Sequence, residues 1–338
     1  MSNTQQILAM LRSRADGDDD QFYSIALQVA AAEARQGHRR TAEEIREAVD
    51  EARSARGTRA SVAVPFAAPR GDLEGLLDLR EAKATLADVI LSDHLAGRLN
   101  AVLLQQRKRG WLRGYGKTPN RRVLFVGPPG AGKTLTAEAL AGELRLPFYI
   151  IRLDSLITRF MGETAAKLRL IFNETLKRRG VYFFDEFDAV GGKRTASNDV
   201  AEMRRVLNSF LLFLEEPCQV DSLIVGATNH SELLDKALVR RFDEVLEFAL
   251  PSADEIRAVV KSHIRPMRYP NIKWDVVVSA ADGLSQAEIA RATEEAVKVA
   301  ILEERNALKT ADLTRRLRER QTMADAFGAR RMTDADDA

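Results

Sequence analysis

Five short apolar runs, separated by stretches of helical spacing, limit this 338-residue chain to very few architectures. They are RVLFVG at 122–127, PFYIIRL at 147–153, VYFFD at 181–185, SLIVGAT at 222–228 and EVLEFAL at 244–250. A run of this length without polar alternation is a strand buried on both faces. Helices between such strands are the crossovers that a parallel sheet requires. The expectation is an α/β domain over residues 72–250. From Pro251 onward the pattern is helical only, which predicts a small helical domain over 251–325 and a flexible acidic tail, 326–338, ending in TDADDA.

Upstream, Ile7, Met10 and Leu11 share one helical face, as do Phe22, Ile25, Ala26 and Val29, and then Ile45, Ala48, Val49 and Ala52. This spacing predicts three amphipathic helices, a small all-α N-terminal domain over 1–55. Thr41 and Glu44 have capping-box spacing and mark the start of the third. Residues 56–71 lose the period and gain Gly and Pro, as a linker does. Hydrophobic residues make up 45% of the chain, enough for a buried core, so wholesale disorder is excluded. Lys and Arg number 51 against 49 Asp and Glu, a balance that gives no general electrostatic reason to expect nucleic acid or an anionic membrane. Cys218 is the only cysteine, and the four histidines have no zinc-site spacing. The N-terminus is too mixed for a signal peptide and no apolar run reaches membrane-spanning length, so the cytoplasm is the expected compartment.

The first apolar run leads into Gly127-Pro128-Pro129-Gly130-Ala131-Gly132-Lys133-Thr134, with Leu135 opening the helical stretch that follows. Strand, glycine loop and helix in that order form a cradle for phosphates. Glycines let backbone N–H groups wrap the anion, and the helix N-terminus adds its partial positive charge. Lys133 supplies a point charge, and Thr134 a hydroxyl for Mg²⁺. The run VYFF ends in Asp185-Glu186, which puts two carboxylates at the strand edge where parallel sheets bind ligands. Alone, such a pair is a solvated cap. Downstream of a phosphate loop, Asp185 suits the Mg²⁺ shell and Glu186 suits polarising an attacking water. Asn229, closing SLIVGAT, offers an amide that can orient that water.

In this order and spacing the three elements resemble the AAA clade of the AAA+ ATPases, over roughly residues 72–325. The resemblance implies a doubly wound P-loop sheet with a helical lid, ATP and Mg²⁺ as ligands, and Asn229 in the sensor-1 position. It also implies a homo-oligomer, a hexameric ring in which a neighbour completes each site. That completion falls to Arg240 or Arg241, in a segment Arg240-Arg241-Phe242-Asp243 that lacks the clade's Pro-Gly. His263 lies where the clade has an adenosine-contacting histidine, and from its residues alone it is equally a core histidine. The segment Gly283-Leu284-Ser285-Gln286-Ala287-Glu288 resembles the clade's Gly-Phe-Ser-Gly-Ala-Asp and has capping-box spacing, but no sensor-2 arginine. The clade's Asp-Gly-Phe signalling element is replaced by LLFLEEPCQVDS.

Arg159-Phe160-Met161-Gly162 resembles the clade's first pore loop, an aromatic step that grips peptide in the channel of the ring. Gly191-Gly192-Lys193-Arg194 has the composition of a second, basic loop. The basic stretch at 105–122, with Trp111 and Tyr115, falls where the clade has a helix and connector at subunit contacts. By this resemblance the chain is a protein-remodelling motor whose N-terminal helices recruit substrate. The segment YSIALQVAAAEARQGHRR also resembles bacterial AAA proteins paired with a subtilisin-like protease. No nucleophile motif occurs here, so proteolysis would belong to that partner. A nucleic-acid motor or loader and a nucleotide-gated assembly scaffold are the competing readings.

Overall fold

The structure is a computed structural model that describes residues 25–26, 29–30, 32, 38, 40–43, 73, 75–151, 163–185, 209–218, 220–230 and 239–336. The chain divides into two compact units, 1–67 and 68–338. In the first, residues 25–26, 29–30 and 40–43 are helical, and Ala26, Ala30 and Ala42 are buried. Arg40 is already helical and the Ala42 N–H donates to the His38 carbonyl. This helix therefore begins before Thr41, and the capping-box spacing placed its start too late. Most of the three-helix unit and the linker 56–71 lie outside the described residues.

The second unit is built on six strands, β1 (Leu77–Arg80), β2 (Arg122–Val126), β3 (Phe148–Ile151), β4 (Val181–Phe184), β5 (Leu223–Thr228) and β6 (Glu244–Glu247). Their order in the sheet is β1-β3-β4-β5-β2-β6. The five apolar runs of the sequence are β2 to β6, and every pairing among them is parallel. β1 is antiparallel to β3, with Leu77 opposite Ile151. Its four residues, LDLR, are too few and too polar to announce a strand.

Unbroken hydrophobicity in the strands follows from burial on both faces. In β2, Val123 and Phe125 point to one face, where they pack with α1 (Asp93–Arg107) and α3 (Lys133–Leu144) through Leu99, Val102, Leu103, Ala137 and Leu140. Leu124 and Val126 point to the other face, under Leu168, Ile171 and Phe172 of α4 (Glu163–Lys177). There Phe172 lies 5.7 Å from Phe184 and 5.3 Å from Phe210, ring centre to ring centre. Such rings contribute beyond their buried area. A short helix, α2 (Arg109–Gly114), follows α1.

Four further helices pack together in the region expected to be a lid, and take that name: α5 (Ala253–His263), α6 (Trp274–Ala280), α7 (Gln286–Leu302) and α8 (Thr310–Asp336). Ile256, Val260, Val277, Ile289, Ala296, Leu313 and Leu317 make their shared core. Ser285 and Glu288 form the capping box that their spacing implies, and Ser252 and Glu255 form another at the start of α5. α8 continues to Asp336, so the flexible tail expected from residue 326 is helical backbone over most of its length.

Candidate nucleotide-binding and catalytic site

β2 pairs with β5 on one side and β6 on the other, yet the chain leaves β2 for β3, beyond β5 and β4. That reversal opens a crevice at the C-terminal end of β2, where open α/β sheets take ligands. The Gly127–Thr134 loop fills this position. The Gly127 N–H donates to the Thr228 carbonyl at the end of β5, and the Phe248 N–H donates to the Val126 carbonyl from beyond β6. Gly127 is pinched between them: at φ 151° a Cβ would stand 2.1 Å from the Phe248 carbonyl oxygen. Gly130, at φ 75°, meets the lid, because a Cβ there would come within 2.7 Å of Ser285 Oγ. Only glycine satisfies either position.

Lys133, the first residue of α3, is 7% exposed. Its ammonium donates to the carbonyls of Gly127 (2.6 Å) and Pro128 (2.8 Å) and to Asn229 Oδ1 (2.8 Å). A buried cation needs such partners, and these three hold it at the mouth of the loop. Thr134 Oγ1 lies 3.4 Å from Asp185 Oδ2, at the end of β4. Three separate sequence signals therefore converge on one place. Their oxygens fit Mg²⁺, which takes one or two protein oxygen ligands and keeps several waters.

These groups line one end of a cleft of about 420 Å³. Pro129, Gly130, Gly132, Thr134, Leu135 and Asn229 contribute to that end, and Val259, Ser262, His263, Gln286, Ala287 and Ala290 form the lid side. Asp88, which ends a 3-10 turn at Leu86–Asp88, and Ile90 just beyond it supply the remaining wall. Hydrogen bonds from the Thr85 backbone and hydroxyl hold the Asp88 carboxyl below the usual carboxylate range. His263 lines the cleft rather than the lid core, with Nδ1 2.9 Å from the Val259 carbonyl oxygen. Ala131 is buried behind the loop. Nothing in the sequence singled out Asp88, Ile90 or Gln286 as cleft residues. Two signals fell near Gln286: the capping box, which concerns helix geometry, and the resemblance of residues 283–288 to a segment of the clade, which has glycine at this position.

Arg240 and Arg241 lie away from this cleft. Asp243 accepts from the backbone N–H groups of Arg121 and Arg122 and pairs with the Arg122 guanidinium, at the start of β2. Both arginines are thus anchored at the end of the strand opposite the loop, about 13 Å away along five residues of β2. Arg241 is bound to Glu215 at 3.0 Å, whereas Arg240 is exposed and makes no ion pair among the described residues. Glu186 and the pore segment Arg159, Phe160, Met161 and Gly162 lie outside the described residues, as does Gly191–Arg194.

A glycine loop between a parallel strand and a helix, with a lysine at its end and an aspartate at the end of a strand two places along the sheet, defines a P-loop nucleoside triphosphatase. The profile of the "ATPase family associated with various cellular activities (AAA)" matches residues 123–250. AAA family ATPase y4kL of Sinorhizobium fredii is 35% identical over 311 residues, covering 90% of this chain and 91% of that protein. The chain belongs to the AAA family and is an ATPase. It is also 34% identical over 261 residues to the ATP-dependent zinc metalloprotease FtsH of Acidothermus cellulolyticus, covering 72% of this chain and 39% of that one. With the proteasome-activating nucleotidase of Sulfurisphaera tokodaii it shares 34% identity over 206 residues, 59% of this chain and 52% of the other. The chain thus spans about half or less of the length of these last two relatives.

Proposed function

We propose that this ATPase works as a ring that remodels or unfolds protein, and that each of its active sites is shared between two copies. The observation that carries the reading is the separation just described, with the phosphate loop at one end of β2 and Arg240 and Arg241 at the other. An arginine that stabilises charge on a transferred phosphoryl group contributes about 10³–10⁵ in rate. From its own sheet edge neither arginine reaches its own loop, so the natural recipient is a neighbour's. Arg240, exposed and without an ion pair among the described residues, is the better placed of the two.

Within one copy, Lys133 exchanges its carbonyl and Asn229 partners for the outer phosphates of ATP. Asn229, freed of that bond, holds the attacking water, and Glu186, next in the chain to Asp185, takes its proton. Thr134 and Asp185 are the residues that would hold Mg²⁺, whose charge offsets that developing on the phosphates. His263 and the lid close on the nucleoside.

Protein as substrate is supported by the names of two relatives, a metalloprotease and a proteasome-activating nucleotidase, and by the Phe160-Met161-Gly162 pore resemblance. Among the described residues no group of three His, Cys, Asp or Glu side chains could hold a metal ion. Any proteolysis falls to a partner, since the sequence carries no nucleophile motif, and a subtilisin-like protease is the one that the N-terminal segment suggests. No helix among the described residues is long and apolar enough to cross a membrane.

One observation favours a nucleic-acid motor instead. Trp111 and Tyr115 are 63% and 71% exposed, with ring centres 5.1 Å apart, beside Lys108, Arg109 and Lys117. Exposed rings amid cations suit unpaired bases. Steady-state hydrolysis with each polymer added separates the readings. An unfolded protein is expected to stimulate turnover and single-stranded DNA or RNA to leave it unchanged, and the reverse pattern selects the second reading.

A further inference from the structure

The two walls of the cleft are joined across it by one side chain, Gln286, the first residue of α7. Its Nε2 donates to the Ile90 carbonyl at 3.0 Å. That carbonyl belongs to the wall following the 3-10 turn, 196 residues earlier in the chain. Along the way the Gln286 amide passes Gly132, where a Cβ would stand 3.5 Å from Oε1. The next residue makes a second link, because the Ala287 N–H donates to the Gly130 carbonyl in the phosphate loop at 3.0 Å. The Ser285–Glu288 capping box fixes the start of α7, so both links issue from a rigid helix end. Ile90 also packs against the lid core.

The links differ in chemistry. Ala287 donates through its backbone, so any residue except proline preserves the bond. The Gln286 bond depends on a side-chain amide of the right length. Both bonds must break for the lid to swing away from the loop and the Ile90 wall and let a nucleotide out.

We infer that Gln286 is a positioning residue for nucleotide exchange: it latches the lid to the Ile90 wall and sets how fast ADP leaves. This rests on the assignment of the cleft to nucleotide made above. A neutral hydrogen bond of this kind corresponds to about a fivefold change in an equilibrium or escape rate.

The test is stopped-flow release of a fluorescent ADP from the full chain. Gln286→Met keeps the volume and loses the donor, and Gln286→Asn keeps the amide but shortens its reach. Both are expected to release ADP about fivefold faster and to raise KM for ATP, with the melting temperature of the nucleotide-free protein nearly unchanged. If only packing mattered, the Met variant would release at the wild-type rate, and that result overturns the inference. Should Met disturb folding, the Asn variant decides alone. Wild-type protein that binds no ADP would instead overturn the assignment of the cleft.

Discussion

Asp243 shows how one carboxylate can hold the turn that carries Arg240 and Arg241. Burial works against its charged form, but hydrogen bonds from the Arg122 guanidinium and from the backbone N–H groups of Arg121 and Arg122 outweigh it, and its pKa lies below the ordinary 3.8. A group depressed in the folded state stabilises the fold above its unfolded pKa, and that contribution is lost as pH falls through the folded value. Asp243→Asn is therefore expected to cost about 1–2 kcal/mol at neutral pH, the scale of a partly exposed charged hydrogen-bond set. The deficit should shrink below about pH 4, and urea melts across pH measure it. At this scale the sequence disclosed residues whose chemistry needs a fixed spacing. Lys133, Asp185 and Asn229 were legible because glycine loops and strand ends leave a local signature. Gln286 and Ile90 were not, since their contact joins positions 196 residues apart and either residue alone is unremarkable.

Among the elements, the start of α7 serves two ends, capping a lid helix and presenting Gln286 and Ala287 to the cleft. Ser285→Ala removes the acceptor for the Glu288 N–H. An N-cap loss of about 1 kcal/mol lowers the melting temperature of a domain of this size by about 2–4 °C. Affinity for ATP is expected to fall with it, because Ser285 also packs on Gly130. Calorimetry and nucleotide titration on the same variant check both. The buried parallel strands were readable element by element, since burial on both faces leaves no polar alternation to confuse the pattern. β1 was not, because an edge strand of four residues carries two charges and borrows its stability from β3. The last helix was read as giving way to a tail at residue 326, because the acidic end TDADDA drew the boundary back over residues that continue the helix to Asp336.

For the molecule as a whole, the decisive matter is whether a site can be completed from within one chain. Arg240→Ala alone and Glu186→Gln alone are each expected to abolish most turnover. Mixing the two proteins should restore part of it, because an intact loop in one copy then meets an intact Arg240 in another. Arg241→Ala, which mainly loses its bond to Glu215, is expected to retain more activity than Arg240→Ala. ATPase assays on mixtures of varied ratio measure both, and equal loss without rescue would place the arginines within one chain's own site.

The loop and the turn that carries Arg240 lie at opposite ends of the five-residue strand β2, and in the proposed ring an arginine that serves a neighbour from there does so head to tail. Two copies exchanging arginines across a twofold axis would complete both sites at once and stop at a pair, so the ring reading requires a different contact. A pair joined head to tail completes one site and leaves one socket and one arginine over. Such a subunit must keep adding copies until the turn closes on itself or winds into a spiral, and the pitch of that single contact decides which.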